Sequence, residues 1–175
     1  MNLKKRKFSS KPKSTEQNST NLIKAFVISK EGDIAITGNE LGQVNLWNLL
    51  EGELVDTIID VPSLSNSQEP AIKSGVCKLI LSNSNVFSVI ASNNHMVYVY
   101  DIEMGDVVTE FTEHQSPVKH IHIIDEKILT SDGFTQCKIW LAHSGQLLES
   151  ITVDCQILGL SPDSKYVVSG PGENM

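Results

Sequence analysis

Histidines, cysteines and carboxylates are the side chains of this sequence that can do chemistry, and their spacing limits what that chemistry can be. His120 and His122 lie two residues apart, so on a strand they project from one face. That is at most half of a metal site, because a zinc centre needs about four converging ligands. No other His or Cys stands at a suitable spacing, so packing or channel-facing roles are expected for the pair. Asp125-Glu126 marks a turn rather than two carboxylates set apart for acid/base work. Ser, His and Asp occur without a Gly-x-Ser-x-Gly elbow, and no Gly-x-x-x-x-Gly-Lys-Ser/Thr phosphate loop is present. Cys77, Cys137 and Cys155 are odd in number, far apart and set among apolar residues, which predicts buried reduced thiols rather than a disulfide or a zinc site. No catalytic residue, cofactor or metal is therefore expected.

The elements that carry these residues repeat. Gln43–Asn48 reads QVNLWN, Met96–Asp101 reads MVYVYD and Gln136–Leu141 reads QCKIWL. Each ends on a ring, Trp47, Tyr100 or Trp140, and each ring is followed at one fixed offset by a glycine, Gly52, Gly105 or Gly145. Apolar residues alternate with period two in all three and in the same register, the pattern of strands in equivalent places. The strands group in fours. The first unit holds Ile23–Ile28, Asp33–Thr37, Gln43–Asn48 and Glu53–Ile59. The second holds Val76–Ser82, Phe87–Ser92, Met96–Asp101 and Val107–Thr112. The third holds Val118–Ile124, Lys127–Ser131, Gln136–Leu141 and Leu147–Thr152. A fourth begins with Gln156–Leu160 and Tyr166–Ser169. Self-similarity near 40 residues with four strands per unit predicts an all-β fold of antiparallel four-stranded propeller blades, about three and a half of them. The expected blades are 22–60, 76–113, 117–153 and a shortened 154–175. The fourth stops at Gly172-Glu173-Asn174-Met175, ahead of its own aromatic strand, so the chain is expected to be part of a longer propeller protein.

These residues resemble the WD-repeat (tryptophan–aspartate) β-propeller family over residues 22–175. Leu160–Gly170, LSPDSKYVVSG, is similar to the family's first-strand, turn and second-strand stretch, and Ile36–Trp47, ITGNELGQVNLW, to the stretch that follows. Tyr100-Asp101 stands where the family has Trp-Asp, Trp47-Asn48 is a near match, and Trp140-Leu141 keeps the ring without the acid. The resemblance implies an internal network of a His, a Ser or Thr, an Asp and the Trp. The third unit keeps His114, Thr130 and Trp140 and has Phe134 at the Asp position, so its network is incomplete unless Asp132 substitutes. The first has Thr37 and Trp47 with Leu41 and Ser19 at the other places, and the second has Asn94, Ile90 and Ile72.

The net charge of −7 is unevenly spread. Residues 1–20 hold Lys4, Lys5, Arg6, Lys7, Lys11 and Lys13 against Glu16 alone, whereas the remainder is acidic. The polar residues 1–21 are expected to be a disordered basic tail. The acidic body disfavours nucleic acid, leaving only a weak contact through the tail. The start of the chain has no apolar stretch after its basic residues and no run reaches the roughly 18 apolar residues of a membrane span, so an intracellular protein of cytoplasm or nucleus is expected. Val61–Gly75 lengthens the first repeat. Its Pro62, Ser63, Leu64, Ser65, Asn66, Ser67, Gln68, Glu69 and Pro70 form a candidate partner-binding loop. The resemblance implies a non-catalytic protein–protein interaction scaffold. The alternatives are a regulatory propeller cut from a larger signalling ATPase or chromatin protein, and a quinoprotein-like propeller enzyme, which would require export, a metal and a cofactor pocket.

Overall fold

The structure, a computed structural model, describes residues 22–58, 75–132, 136–152, 156–161 and 166–170. The tail 1–21, most of the loop 61–75, Phe134 and Cys155 lie outside the described residues. Fourteen strands form the described fold, with no helix among them. β1 (Ile23–Ile28), β2 (Ile34–Asn39), β3 (Val44–Asn48) and β4 (Glu53–Ile58) make one antiparallel sheet in sequential order. β5 (Val76–Leu81), β6 (Phe87–Ser92), β7 (Val97–Asp101) and β8 (Asp106–Phe111) make the second. β9 (His120–Ile124), β10 (Lys127–Ser131), β11 (Gln136–Leu141) and β12 (Leu147–Thr152) make the third. β13 (Gln156–Leu160) pairs with β14 (Val167–Gly170). The three four-stranded sheets are blades of a partial propeller, stacked in chain order.

Each sheet is closed by side chains that replace missing ladder bonds. A serine ends the first strand of three units. Ser29 Oγ accepts from Asp33 N (3.1 Å) and Ile34 N (3.0 Å), Ser82 Oγ accepts from Val86 N and Phe87 N (both 3.1 Å), and Ser161 Oγ accepts from Tyr166 N (3.0 Å). Such local bonds are why serine outcompetes an apolar residue at turns. The third blade has no serine there and uses a tight Asp125-Glu126 turn, with Asp125 in the left-handed region at φ 52°. The turn after each ring carries Gly52, Gly105 or Gly145 at φ 66°, 70° and 68°, a conformation most side chains resist. Asn48 and Asp101, directly after two of the rings, bond the turn amides that follow them. Asn48 Oδ1 accepts from Leu50 N (3.0 Å) and Asp101 Oδ1 from Met104 N (2.7 Å). Leu141 cannot, and Ser144 Oγ takes the Gln146 amide instead at 3.3 Å. β9 starts at His120 instead of Val118, because Pro117 donates no bond and the Val118 carbonyl turns to the Cys77 thiol at 3.4 Å.

The core lies between blades. Ile34, Ile36, Val44 and Leu46 of the first meet Leu79, Ile90, Tyr98 and Tyr100 of the second. The other face of the second, with Val89, Val97, Val99 and Phe111, meets Ile121, Ile128 and Trp140 of the third. The aromatic side of each blade therefore faces the blade before it. In the first blade no described residue covers that side. Phe26, which occupies the place of Leu79 and Ile121 in the paired register, is 69% exposed where they are 6% and 3%.

Blades one and two approach closely at two glycines. A methyl at Gly38 would come within 2.6 Å of Val76, and one at Gly75 within 2.5 Å of the Glu40 carbonyl oxygen. Backbone cannot move aside as a side chain can, so Gly75→Ala is expected to cost about 1–3 kcal/mol of stability. Urea denaturation checks it; a midpoint unchanged from the wild type would show that the two blades slide past the clash.

Candidate functional site

The polar interior of the third blade is built from three strands' worth of spacing. Thr130 on β10 and Lys138 on β11 are paired neighbours, and Trp140 lies two residues further on the same face. Trp140 Nε1 donates to Thr130 Oγ1 at 2.7 Å, and His114, entering just before β9, brings Nε2 to 2.6 Å from the same oxygen. Trp140 stacks on Phe111 of the second blade with ring centroids 4.5 Å apart and planes 6° from parallel. Burial holds His114 neutral, and the Lys138 ammonium nearby pushes the same way, so its pKa falls to about 4. The His114 Nδ1 atom is buried without a hydrogen-bond partner. Asp132 is spent on the adjoining turn, where it accepts from Gln136 N at 3.3 Å, and it does not bond Nδ1. Lys138, itself buried, donates to the Glu113 carbonyl (2.7 Å) and carboxylate (3.2 Å) and lies 5.8 Å from the centre of the Trp140 ring. The sequence displays Lys138 only as one polar place in an alternating strand; its use as a buried clasp on Glu113 depends on residues 25 positions apart and carries no local signal.

The first blade repeats two members, with Trp47 Nε1 donating to Thr37 Oγ1 at 3.0 Å. The second blade differs in kind. Ile90 stands where the others have threonine, so the ring in this blade meets no threonine hydroxyl at that place. Tyr100 reaches the other way, and its hydroxyl donates to Asp56 Oδ2 on β4 of the first blade at 2.9 Å. Thr109 occupies the place of Asp56 in the second blade and faces Trp140, whose N–H is turned inward; the Thr109 hydroxyl is buried without a partner. Tyr100→Phe removes the donor to Asp56 Oδ2, leaving the carboxylate only the Thr57 N–H on its other oxygen at 2.8 Å, and is expected to cost about 1–3 kcal/mol. A double-mutant cycle with Asp56→Ala checks it, and additive losses would remove the bond as a source of stability.

His120 and His122 sit half-buried on β9, on the face opposite Ile121. Burial lowers both pKa values, and the Lys78 ammonium lowers them further. That same ammonium opposes a metal cation, and the described residues contain no group of three metal-ligating side chains. Cys137 is buried and its thiol is pushed up to about 11, chiefly by burial; Cys77 is raised for the same reason. Both are free thiols and neither is poised as a nucleophile.

Antiparallel four-stranded blades whose third strands end on a ring, tied by hydroxyl and histidine to the neighbouring strand, define a WD-repeat propeller. The family model described as the N-terminal domain of nucleolar protein 10-like proteins matches residues 1–169, and the chain belongs to that family. A bromodomain and WD repeat-containing protein of Dictyostelium discoideum is 26% identical over 167 residues, covering 84% of this chain and 8% of the relative. The WD repeat-containing protein JIP5 of Kluyveromyces lactis is 25% identical over 130 residues, covering 73% of this chain and 23% of the relative. The chain thus spans a minor part of the length of both relatives. Among solved structures, the computationally designed Ika4 protein matches with a TM-score of 0.69 at 21% identity, over 90% of this chain and 89% of that one. The WD40 repeats of RRP9 match with a TM-score of 0.67 at 10% identity, over 82% of this chain and 42% of that one. These likenesses show the fold.

Proposed function

We propose that this domain is a non-catalytic platform for protein–protein interaction within a nuclear, ribosome-building assembly. The observation that carries the reading is membership of the nucleolar protein 10-like family across residues 1–169. The geometry supports it in a specific way: Trp140, Thr130, His114 and Lys138 are committed to bonds that fix the third blade and its lead-in, and Trp140 also stacks on the second blade, which leaves rims and loops for partners. The loop 62–70 is one candidate partner contact, and the basic residues of the tail fit entry to the nucleus. The repeat positions Trp47, Tyr100, Trp140, Gly52, Gly105 and Gly145 act as scaffold in this reading. Affinity purification of the parent protein from nuclear extract, with the chain intact and with 62–70 deleted, tests both levels. Recovery of no stable protein partner with the intact chain would overturn the platform reading, and an unchanged partner set on deletion would remove the loop. A second reading, a regulatory propeller of a chromatin protein, draws on the name of the Dictyostelium relative. Recovery of nucleosomal rather than pre-ribosomal proteins in the same experiment would favour it.

A further inference from the structure

Each four-stranded blade carries two turns at one end of its strands, the β1–β2 and β3–β4 turns in the first blade and their counterparts in the second and third. One backbone bond holds the two side by side in every case. Leu49 N donates to the Asp33 carbonyl at 2.8 Å, Ile102 N to the Val86 carbonyl at 2.9 Å and Ala142 N to the Glu126 carbonyl at 2.8 Å. Asn85 Nδ2 donates to Glu31 Oε2 at 3.1 Å and joins the ends of the first two blades. Blades pack through their faces, so a further blade on either side would lengthen this surface rather than cover it. Apolar side chains stand out of it at Leu49, Leu50, Val86 and Met104, with Leu50 80% and Met104 62% exposed. The turn does not need them for its own fold: in the third blade Ser144 holds the place of Met104, counted from the ring. Around them lie exposed carboxylates, among them Glu31 and Glu51 of the first blade, Glu103 and Asp106 of the second, and Asp125 and Glu126 of the third. Lys30 and Lys127 are the only lysines at this end among the described residues. At the opposite end the carboxylates of Glu40 and Glu113 each meet a lysine, Lys24 at 3.4 Å and Lys138 at 3.2 Å.

We propose that this end of the blades is a docking surface for an extended segment of a partner protein that carries lysines or arginines beside apolar side chains. The proposal rests on the interaction-platform reading and names the chemistry of the partner. The carboxylates are spread along three blades, and no group of three metal-ligating side chains forms among the described residues, so they match a run of cations and not a single metal ion. Like charge turns away nucleic acid and acidic segments. Leu50 and Met104 add apolar anchors, and exposed apolar area set among charges is the make-up of an interaction site. The surface is separate from the loop 62–70, which joins β4 to β5 at the opposite end of the strands.

The test titrates the full chain into a fluorescent peptide of alternating lysine and leucine and follows its anisotropy. Saturable binding is expected at low salt, weakening as added salt screens the carboxylates. Glu51→Lys and Glu103→Lys should each weaken it about threefold to fivefold. Glu149→Lys makes the same change of net charge in the middle of β12 and should leave binding unchanged. Leu50→Ser combined with Met104→Ser should weaken binding about fivefold or more. All these side chains are exposed, so the melting temperature should not move. Equal weakening by Glu149→Lys would reduce the effect to net charge and overturn the surface, as would equal binding of a peptide with serine in place of leucine, or no binding at all. Binding that appears only once residues 1–20 are removed would overturn the partner reading and give the surface to the basic residues of the chain's own tail. Repeating the affinity experiment with Glu51→Lys and Glu103→Lys separates the two ideas: an unchanged partner set defeats this surface alone, and an empty set with the wild-type chain defeats the platform.

Discussion

Trp140→Ala is expected to lower the free energy of unfolding by about 3–5 kcal/mol, the range for deleting a large buried ring. Three losses add at one position. The ring is 2% exposed and stacks on Phe111 across the blade interface, so its removal opens a cavity between two sheets. Thr130 and His114 lose the donor that completes their small network. Lys138, buried against the ring, keeps Glu113 but loses the face it lies over. Trp47→Ala removes the same side chain where it is only partly buried among the described residues and should cost this chain markedly less. Urea denaturation of the two variants side by side decides the matter. Equal losses at the two positions would show that blade stacking contributes nothing to Trp140.

Acidification should remove a second large share of the stability. The His114 pKa is about 4 in the folded chain and 6.5 in the unfolded one. Above pH 6.5 the ring is neutral in both states and its contribution is fully present. As the pH falls through 6.5 the unfolded chain takes up a proton that the folded chain refuses, and the loss grows until about pH 4. At about 1.4 kcal/mol per pKa unit, the total is about 3 kcal/mol. His120 and His122 shift in the same direction but are half exposed, so their share is smaller. His114→Gln removes the titrating group, and the difference between wild-type and variant stability should narrow steadily from pH 7 to pH 4. A constant difference across that window would refute the assignment.

The architecture was open to reading because its signal is periodic. Alternation of apolar residues, the ring at the end of QVNLWN, MVYVYD and QCKIWL, and glycine five residues later all survive in one dimension. Strand ends were less legible, since they depend on which amides a turn side chain intercepts. Ser29, Ser82 and Ser161 do the same task at one place in three units, and the recurrence was visible in SKEGD, SNSNV and SPDSK; serine is too common for that pattern to stand out without the bonds. Contacts between blades were the least legible. Nothing near Tyr100 announces Asp56, 44 residues earlier, or that the phenol turns outward to the first blade.

That outward turn has a consequence for how the repeats are ordered. Asp56 and Thr109 hold the same place on successive blades, and Tyr100 and Trp140 hold the matching place on the blades that follow them. The pairs are not exchangeable. A first blade stacked by mistake on the third would set the Asp56 carboxylate against the Trp140 ring, whose N–H points away, and would leave Asp56 Oδ2 without the donor that Tyr100 supplies. A second blade stacked on another copy of itself would set Thr109 against a phenol. Each junction thus works as a lock cut for one key, and a chain of look-alike units emerging in sequence during synthesis has a chemical reason not to skip a tooth.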